Sequence, residues 1–120
     1  MKLNEIVEEL NLEARVAVNN LDAEVRSGYV SDLLSDVLAN GNENDLWITL
    51  QIHPNIVAIA NIKGLSGIVI INGREPEEET IKKAEEENIS IMVSPMSAFE
   101  LSGKLYALIS SGTKNDDEGI

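Results

Sequence analysis

The sequence predicts an α/β fold, a three-layer α/β/α sandwich with a mainly parallel sheet, an N-terminal helix and short strands. From residue 46 onward, short apolar runs alternate with helical stretches, which is typical of parallel strands joined by right-handed crossovers. Residues 68–71 form a continuous apolar run, as expected of a central strand covered on both faces. Of the 120 residues, 43% are hydrophobic but only 3% aromatic, so Ile, Leu, Val and Ala should build a single core.

The N-terminal part is predicted to contain one helix and two extended stretches. Apolar residues at helical spacing indicate a short amphipathic helix over residues 3–10. Alternating residues predict a strand over 12–18, and a second extended stretch over 23–29 is broken by Gly28. The helix should cover the core, with the strands beneath it.

A helix and a strand follow. Ser31 is predicted to be the N-cap of a helix with Asp32 in its first turn, and Gly41 ends it. In the strand over residues 46–52, apolar residues alternate with Trp47, Thr49 and Gln51. One face of this strand should therefore be less thoroughly buried, because the strand lies near an edge or faces a partner.

The remaining elements repeat the strand–helix order, and local residues support their boundaries. The predicted elements are a helix over 54–63 ended by Gly64, a strand over 67–71, a helix over 76–88, a strand over 89–93 and a helix over 97–110. Ser97 and Glu100 have the spacing of a capping box. Residues 112–120 are polar and acidic without periodicity, so we expect a disordered tail after a single domain over residues 1–111.

Composition excludes several classes of function. The 9 basic and 21 acidic residues give a net charge of −12, so neither nucleic acid nor a membrane is expected as a partner. The absence of cysteine excludes disulfides and thiolate chemistry. The N-terminal residues lack the regions of a signal peptide, and a cytoplasmic location is expected. No phosphate-binding loop, nucleophile elbow or histidine pair occurs, so we expect no catalytic residue, no metal and no cofactor.

Polar residues follow several of the predicted strands. Because parallel strands point their carboxyl ends at one edge of the sheet, these residues should meet there. The candidate ligand-binding residues are Ser31, Asp32, Gln51, His53, Asn55, Asn72, Gly73, Arg74, Ser94 and Ser97. Helices starting near Ser31, Pro54 and Ser97 would direct unpaired N–H groups at the same edge, which suits a carboxylate or a phosphate.

Each candidate also has a structural interpretation, and both are left open. His53, the chain's one histidine, can simply end a strand at a bend before Pro54. The pair Asn72-Gly73 is a common turn, and the serines can act only as helix caps. Arg74 can pair with the glutamates that follow it instead of holding a ligand.

The predicted helix after His53 indicates a partner. Residues 55–62 are apolar nearly all round, and such a helix is normally buried on more than one side. A homodimer, or a partner protein covering the helix, is therefore expected. A position deep between the sheet and another helix explains the pattern equally well.

Several segments together resemble a stand-alone DRTGG domain, over nearly the whole chain except the tail. The segments are Tyr29-Val30-Ser31-Asp32-Leu33-Leu34-Ser35, Leu46-Trp47-Ile48-Thr49-Leu50-Gln51, His53, Asn55-Ile56-Val57-Ala58-Ile59-Ala60, Pro76 with its acidic helix, and Ser97-Ala98-Phe99-Glu100-Leu101. The Asp-Arg-Thr-Gly-Gly motif that names the family is not retained, and the loop after the strand beginning at Leu46 reads Ile52-His53-Pro54-Asn55.

The resemblance implies a regulatory or dimerising domain without catalysis. Members of this family occur within phosphotransacetylases and between CBS domains of regulated pyrophosphatases, and they resemble the N-terminal domain of HPr kinase. We therefore expect a ligand-sensing module for a small anionic ligand, such as an adenine nucleotide. The alternatives are a pure protein-interaction subunit and an enzyme using His53 as acid or base, the last requiring a carboxylate such as Asp32 within hydrogen-bond reach.

Overall fold

The computed structural model describes the backbone of residues 1–118 and the side chains of residues 1–111. The predicted disordered tail over 112–120 lies outside the residues described in full and stays a prediction. Five strands form one sheet: β1 (Glu13–Val16), β2 (Ser27–Val30), β3 (Asp45–Thr49), β4 (Gly67–Ile70) and β5 (Ile91–Val93). The helices are α1 (Leu3–Glu9), α2 (Leu34–Asn40), α3 (Asn55–Lys63), α4 (Glu78–Glu87) and α5 (Ala98–Glu118), with a 3-10 turn at Val18–Leu21.

The sheet has the strand order β1-β5-β4-β3-β2, so β4 lies in the middle, as its apolar run predicted. Strands β2 to β5 are parallel neighbours in chain order, whereas β1 pairs antiparallel with β5. Helices α2, α3 and α4 join these parallel strands and pack on one face in a shared apolar core. Helices α1 and α5 contribute to a second core on the other face. The predicted α/β sandwich is confirmed.

Strand β3 is buried on both faces, and the prediction of a less buried face was wrong. All of its residues are buried, and Trp47 is 0% exposed. The strand lies between β2 and β4, with α2 and α3 covering the side of Trp47. The Trp47 Nε1 donates a hydrogen bond to the Ser31 carbonyl oxygen over 2.8 Å, which satisfies its polar atom in the core.

Helix α3 packs between α2 and α4. Ile56, Val57 and Ala60 are buried, whereas Ala58 and Ile62 are exposed. The helix therefore occupies the deep position that the sequence left open as an alternative to a partner. Its apolar composition no longer supports a dimer through this helix.

Strand β2 begins four residues after the start of the extended stretch predicted over residues 23–29, and Gly28 lies inside the strand instead of breaking it. A Cβ atom at Gly28 would lie 2.9 Å from Leu105 Cδ2 of α5. Glycine here allows α5 to pack closely on the strand. Helix α2 starts at Leu34 with Leu33 as its N-cap, so the prediction of Ser31 as N-cap was wrong.

None of the helices between residues 1 and 118 combines the length and the apolar character that crossing a bilayer requires.

Candidate functional site

Hydrogen bonds tie the loop after β2 to the end of β3. The Asp32 carboxylate accepts hydrogen bonds from the Leu50 backbone N–H over 2.7 Å and from Thr49 Oγ1 over 3.0 Å. The Gln51 side-chain amide donates to the Asp32 carbonyl oxygen over 2.9 Å. The structure therefore brings Asp32 and Gln51 together at the carboxyl edge of the sheet, as predicted from parallel pairing. The Asp32 carboxylate therefore joins the loop after β2 to the loop after β3 by hydrogen bonds. Asp32 precedes α2 and is not part of that helix.

Arg74 lies on this same edge. Its Nη1 donates to the Leu50 carbonyl oxygen over 2.6 Å. The neighbouring Glu75 is held by Arg15 of β1, through Nε over 2.7 Å and Nη2 over 2.8 Å. Among the side chains of residues 1–111, no carboxylate forms an ion pair with Arg74. We call the carboxyl edge of the sheet, with the loops that follow its strands, the rim. The Arg74 guanidinium thus points toward the rim and not toward the acidic helix α4.

The Arg15–Glu75 pair accounts for two shifted ionisations. The hydrogen bond from Arg15 lowers the pKa of the Glu75 carboxyl, and the same bond raises the pKa of Arg15. Both side chains thereby keep their charges at neutral pH. Because this pair occupies Glu75, it leaves Arg74 without its nearest acidic neighbour in sequence.

The Asn72-Gly73 turn is built into the backbone. Both residues have left-handed conformations, with φ of 58° and 70°. Their N–H groups donate to the carbonyl oxygens of Met96 over 2.9 Å and of Ser94 over 3.0 Å. The connection from β5 to α5 therefore crosses the end of β4 and uses the donors that a ligand would need. The turn interpretation of this pair is supported by its geometry.

His53 caps the first turn of α3. Its Nδ1 accepts a hydrogen bond from the Asn55 N–H over 3.1 Å, and its carbonyl oxygen accepts from the Ile56 N–H over 3.1 Å. The first N–H groups of the helix are thus satisfied within the chain. Among the described side chains, no hydrogen bond joins His53 to Asp32. The Asp32 carboxylate is bonded to the Leu50 N–H and to Thr49 instead. The contact between His53 and Asp32, which an acid–base role for His53 was expected to use, is not formed among these residues.

The three serines among the candidates make local hydrogen bonds. Ser31 Oγ accepts from the Leu33 N–H, Ser94 Oγ from the Met96 N–H, and Ser97 Oγ from the Glu100 N–H, over 3.2, 3.1 and 3.2 Å. Ser97 stands directly before α5, so it serves as the predicted cap of that helix. Glu100 lies 3.9 Å from Lys104. Caps and turns account for these hydroxyl groups as acceptors, and the Ser31 hydroxyl is in addition a hydrogen-bond donor to the Asp36 carboxylate.

Some members of the rim were missed by sequence reasoning. Thr49 is buried at the end of an apolar strand, and its hydroxyl bonds the Asp32 carboxylate. Thr80 Oγ1 donates to the Ile52 carbonyl oxygen over 2.6 Å and thereby joins α4 to the segment before His53. A polar residue at the end of an otherwise apolar strand was the available signal for Thr49. Within the described residues, no three side chains of the His, Asp or Glu type converge as a metal site.

Two cavities lie away from this rim. An apolar groove of 460 Å³, the edge groove, is formed beside β2 by α5 and includes Gly28, Val30, Phe99, Leu105, Tyr106 and Ile109. A more polar cavity of 270 Å³ lies near the 3-10 turn, lined by residues such as Asn19, Ser66 and Ser90. Neither contains any of the predicted ligand-binding residues.

No protein-family model and no curated protein matches the chain. A solved structure is similar to it, that of the CBS and DRTGG domains of the regulatory region of Clostridium perfringens pyrophosphatase, complexed with the activator diadenosine tetraphosphate. The TM-score is 0.66 at 20% sequence identity, and the match covers 87% of this chain and 45% of that chain. The chain thus spans less than half of that regulatory region. The similarity shows the fold, and it supports the DRTGG-like fold expected from the sequence resemblance.

Proposed function

We propose that the chain is a non-catalytic regulatory domain of the DRTGG type that senses a small anionic ligand at the carboxyl edge of its sheet. The observation that carries this proposal is the position of Arg74. In a chain with a net charge of −12, this guanidinium lies on the rim and contacts a carbonyl oxygen, with no carboxylate paired to it among residues 1–111. Guanidinium groups bind phosphates and carboxylates through paired N–H donors.

The remaining side chains of the rim fit a phosphate-bearing ligand. Gln51 reaches Asp32 from the end of β3, while His53 and Asn55 are exposed at the start of α3. Because several backbone donors are already used, the ligand would be held mainly by side chains. An adenine nucleotide is the ligand we propose, supported by the resemblance and by the activator bound to the similar regulatory region.

The experiment is a thermal-shift screen against adenine nucleotides, diadenosine tetraphosphate, cyclic dinucleotides, phosphorylated metabolites and simple carboxylates. A ligand at 100 times its dissociation constant adds about 2.7 kcal/mol of stability, which raises the midpoint by several degrees in a domain of this size. Arg74→Gln should abolish the shift and His53→Ala should weaken it. Lys83→Gln removes an exposed charge on α4 and should leave it unchanged. A shift that persists in Arg74→Gln would place the ligand elsewhere.

A second candidate function is a protein-interaction subunit without a small-molecule ligand. The edge groove favours it, because Phe99 is 91% exposed and Tyr106 is 75% exposed beside an open strand. Large exposed apolar patches mark interaction surfaces. If no compound shifts the midpoint of the wild-type chain, the ligand-sensing proposal fails and this second function takes its place.

A further inference from the structure

The cavity of 270 Å³ near the 3-10 turn, the polar cavity, lies at the amino edge of the sheet, opposite the rim. Its lining includes Ser66 and Ser90, which directly precede the parallel strands β4 and β5. Asn19 of the 3-10 turn, Asp22 just after that turn and Asn88 at the end of α4 also line it. The volume is close to the lower end of the range for small-molecule sites, about 300 Å³.

Two buried hydroxyl groups line the polar cavity and have hydrogen-bonding capacity to spare. Ser90 is 5% exposed and Ser66 is 8% exposed. Ser90 Oγ accepts a hydrogen bond from the Val18 N–H over 3.0 Å, which leaves its O–H as a donor. Ser66 Oγ donates to the Glu24 carbonyl oxygen, which leaves its lone pairs as acceptors. The pair of serines therefore suits a ligand group that both accepts and donates.

Two side-chain amides add further donors and acceptors. Within residues 1–111, the amides of Asn40 and Asn61 form side-chain hydrogen bonds, whereas those of Asn19 and Asn88 form none. Both of these lining residues are exposed, and both have left-handed backbone conformations, with φ of 50° and 60°. Their amides are thus available at the border of the cavity, above the buried serines.

The backbone beside the polar cavity is strained. Asn19, Asn20 and Leu21 are three successive residues with left-handed conformations, with φ of 50°, 55° and 59°. Asparagine tolerates this region, but a leucine in it is unfavourable because its Cβ atom crowds the next carbonyl oxygen. Strained conformations of this kind are concentrated at ligand clamps and active sites. The turn is therefore a second observation, independent of the lining, that points to a ligand.

The charges around the polar cavity favour a neutral ligand. Among its described lining residues Asp22 is the one ionisable group, and Lys2 Nζ lies 3.3 Å from its carboxylate. An anion would find no free cation here, in a chain with a net charge of −12. A metal ion would need acceptors alone, whereas hydroxyl and amide groups supply donors as well. Alcohol groups match this mixture, because each donates one hydrogen bond and accepts others.

We propose that the polar cavity binds a neutral polyhydroxy compound of monosaccharide size, such as a sugar or a cyclic polyol. The amides of Asn19 and Asn88 hold its outer hydroxyl groups, and the hydroxyl groups of Ser66 and Ser90 hold an inner one. This site does not depend on the anionic ligand, because Arg74 and the polar cavity lie at opposite edges of the sheet.

The test is an NMR titration of the nitrogen-15-labelled chain with glucose, mannose and myo-inositol at millimolar concentrations. Chemical shifts are preferable to a thermal-shift screen here, because sugars stabilise folded proteins without binding them. At least one of the three should cause saturable chemical-shift changes at the amides of residues 19–23, 66 and 88–90. Arg74→Gln should respond to the same compound like the wild type, so that loss of the anion site leaves this result intact.

Glycine substitutions test the amides without disturbing the backbone, since glycine adopts left-handed conformations freely. Asn19→Gly and Asn88→Gly should each raise the dissociation constant about tenfold, because a hydrogen-bonding amide is lost. Asn20→Gly is the matched control: it lies in the same turn with φ of 55° but does not line the cavity, and it should bind like the wild type.

Three results would overturn the proposal. The first is the absence of saturable changes with all three compounds. The second is a dissociation constant that is the same in Asn19→Gly, Asn88→Gly and Asn20→Gly. The third is a response of these amides to malate or to calcium ions but to none of the polyols, because that result would make the ligand charged.

Discussion

At the scale of single residues, Asp32 shows how one carboxylate joins two loops. It follows β2 and accepts hydrogen bonds from the Leu50 N–H and the Thr49 hydroxyl at the end of β3. Sequence reasoning placed Asp32 correctly at the carboxyl edge of the sheet but assigned it to the first turn of a helix. The contact with Leu50 depends on which strands are neighbours, and local sequence does not encode that.

Asp32→Ala should lower the free energy of unfolding by about 1–2 kcal/mol, because a charge-assisted hydrogen bond is lost and the Leu50 N–H is left without its acceptor. Urea denaturation followed by the fluorescence of the buried Trp47 measures the loss. Glu85→Ala, on the exposed face of α4, is the control and should change the free energy by less than about 0.5 kcal/mol. Equal free energies of unfolding for the two variants would show that the hydrogen bonds of Asp32 do not stabilise the fold.

Asp36 adds a pH-dependent contribution beside the rim. Both of its oxygens lie 2.9 Å from the Tyr29 hydroxyl, and the Asn40 amide donates over 2.9 Å. The hydrogen bonds from Asn40, Ser31 and Tyr29, in that order, hold the pKa of the Asp36 carboxyl below its ordinary value of 3.8. A lowered folded-state pKa contributes stability above the unfolded value, and this stability is lost as the pH falls through the folded value.

The stability difference between the wild type and Asp36→Asn should therefore be constant from pH 7 to about pH 5 and should shrink below about pH 4. Urea denaturation of both proteins at pH 7, 5 and 3 gives this comparison. A difference that does not change with pH would show that the ionised form of Asp36 contributes no stability. The pKa of Tyr29 is raised, first by its hydrogen bond to Asp36, so Tyr29 also favours the folded state until the pH rises through that higher value.

At the scale of elements, the ends of helices show which sequence signals are dependable. Gly64 ends α3 in a left-handed conformation with φ of 63°, as the sequence predicted. Asn88 ends α4 in the same conformation, with φ of 60°. The starts were less accurate, since α2 begins after Leu33 and α4 after Glu77. Glycine and asparagine determine a helix end through backbone sterics alone, whereas a start depends on tertiary contacts such as that of Asp32.

Two substitutions at Asn88 test this account of helix ends. Asn88→Ala should lower the free energy of unfolding by about 1 kcal/mol, because a residue with a Cβ atom and no compensating polar group is strained in the left-handed region. Asn88→Gly should be neutral or slightly stabilising for the same reason. Thermal or urea unfolding of both variants provides the measurement. Equal effects of alanine and glycine would mean that the conformation at Asn88 is not what terminates α4.

At the scale of the whole molecule, the order of elements and the central place of β4 could be predicted, because hydrophobic periodicity reports burial directly. The burial of β3 on both faces could not be predicted. In the sequence Trp47 alternates with aliphatic residues and was assigned to the less buried face, whereas in the fold α2 and α3 cover it. Most candidate residues do lie at the carboxyl edge. Which of these residues form hydrogen bonds within the chain depends on contacts between loops, such as the bond from the Asn72 N–H to the Met96 carbonyl oxygen. Local sequence does not encode such contacts.

The packing of α3 changes which surface is expected to contact a partner. Although Ile56, Val57 and Ala60 are buried within the chain, large apolar side chains stay exposed in two places: Val30, Phe99 and Tyr106 beside β2, and Leu33, Leu38 and Ile62 near α2 and α3. A sequence pattern shows that a helix is apolar but cannot show what covers it. The unpaired edge of β2 appears only when the strand order is established.

The central claim, a ligand site on the rim around Arg74, is tested most directly by an NMR titration of the nitrogen-15-labelled chain with diadenosine tetraphosphate. We expect saturable chemical-shift changes at the amides of residues 31–32, 50–53, 55 and 72–74, and the loss of these changes in Arg74→Gln. Chemical-shift changes confined to the edge groove would contradict the claim. So would the absence of any change at diadenosine tetraphosphate concentrations well above those at which nucleotides regulate proteins. Either result would leave protein interaction through β2 and α5 as the function of this chain.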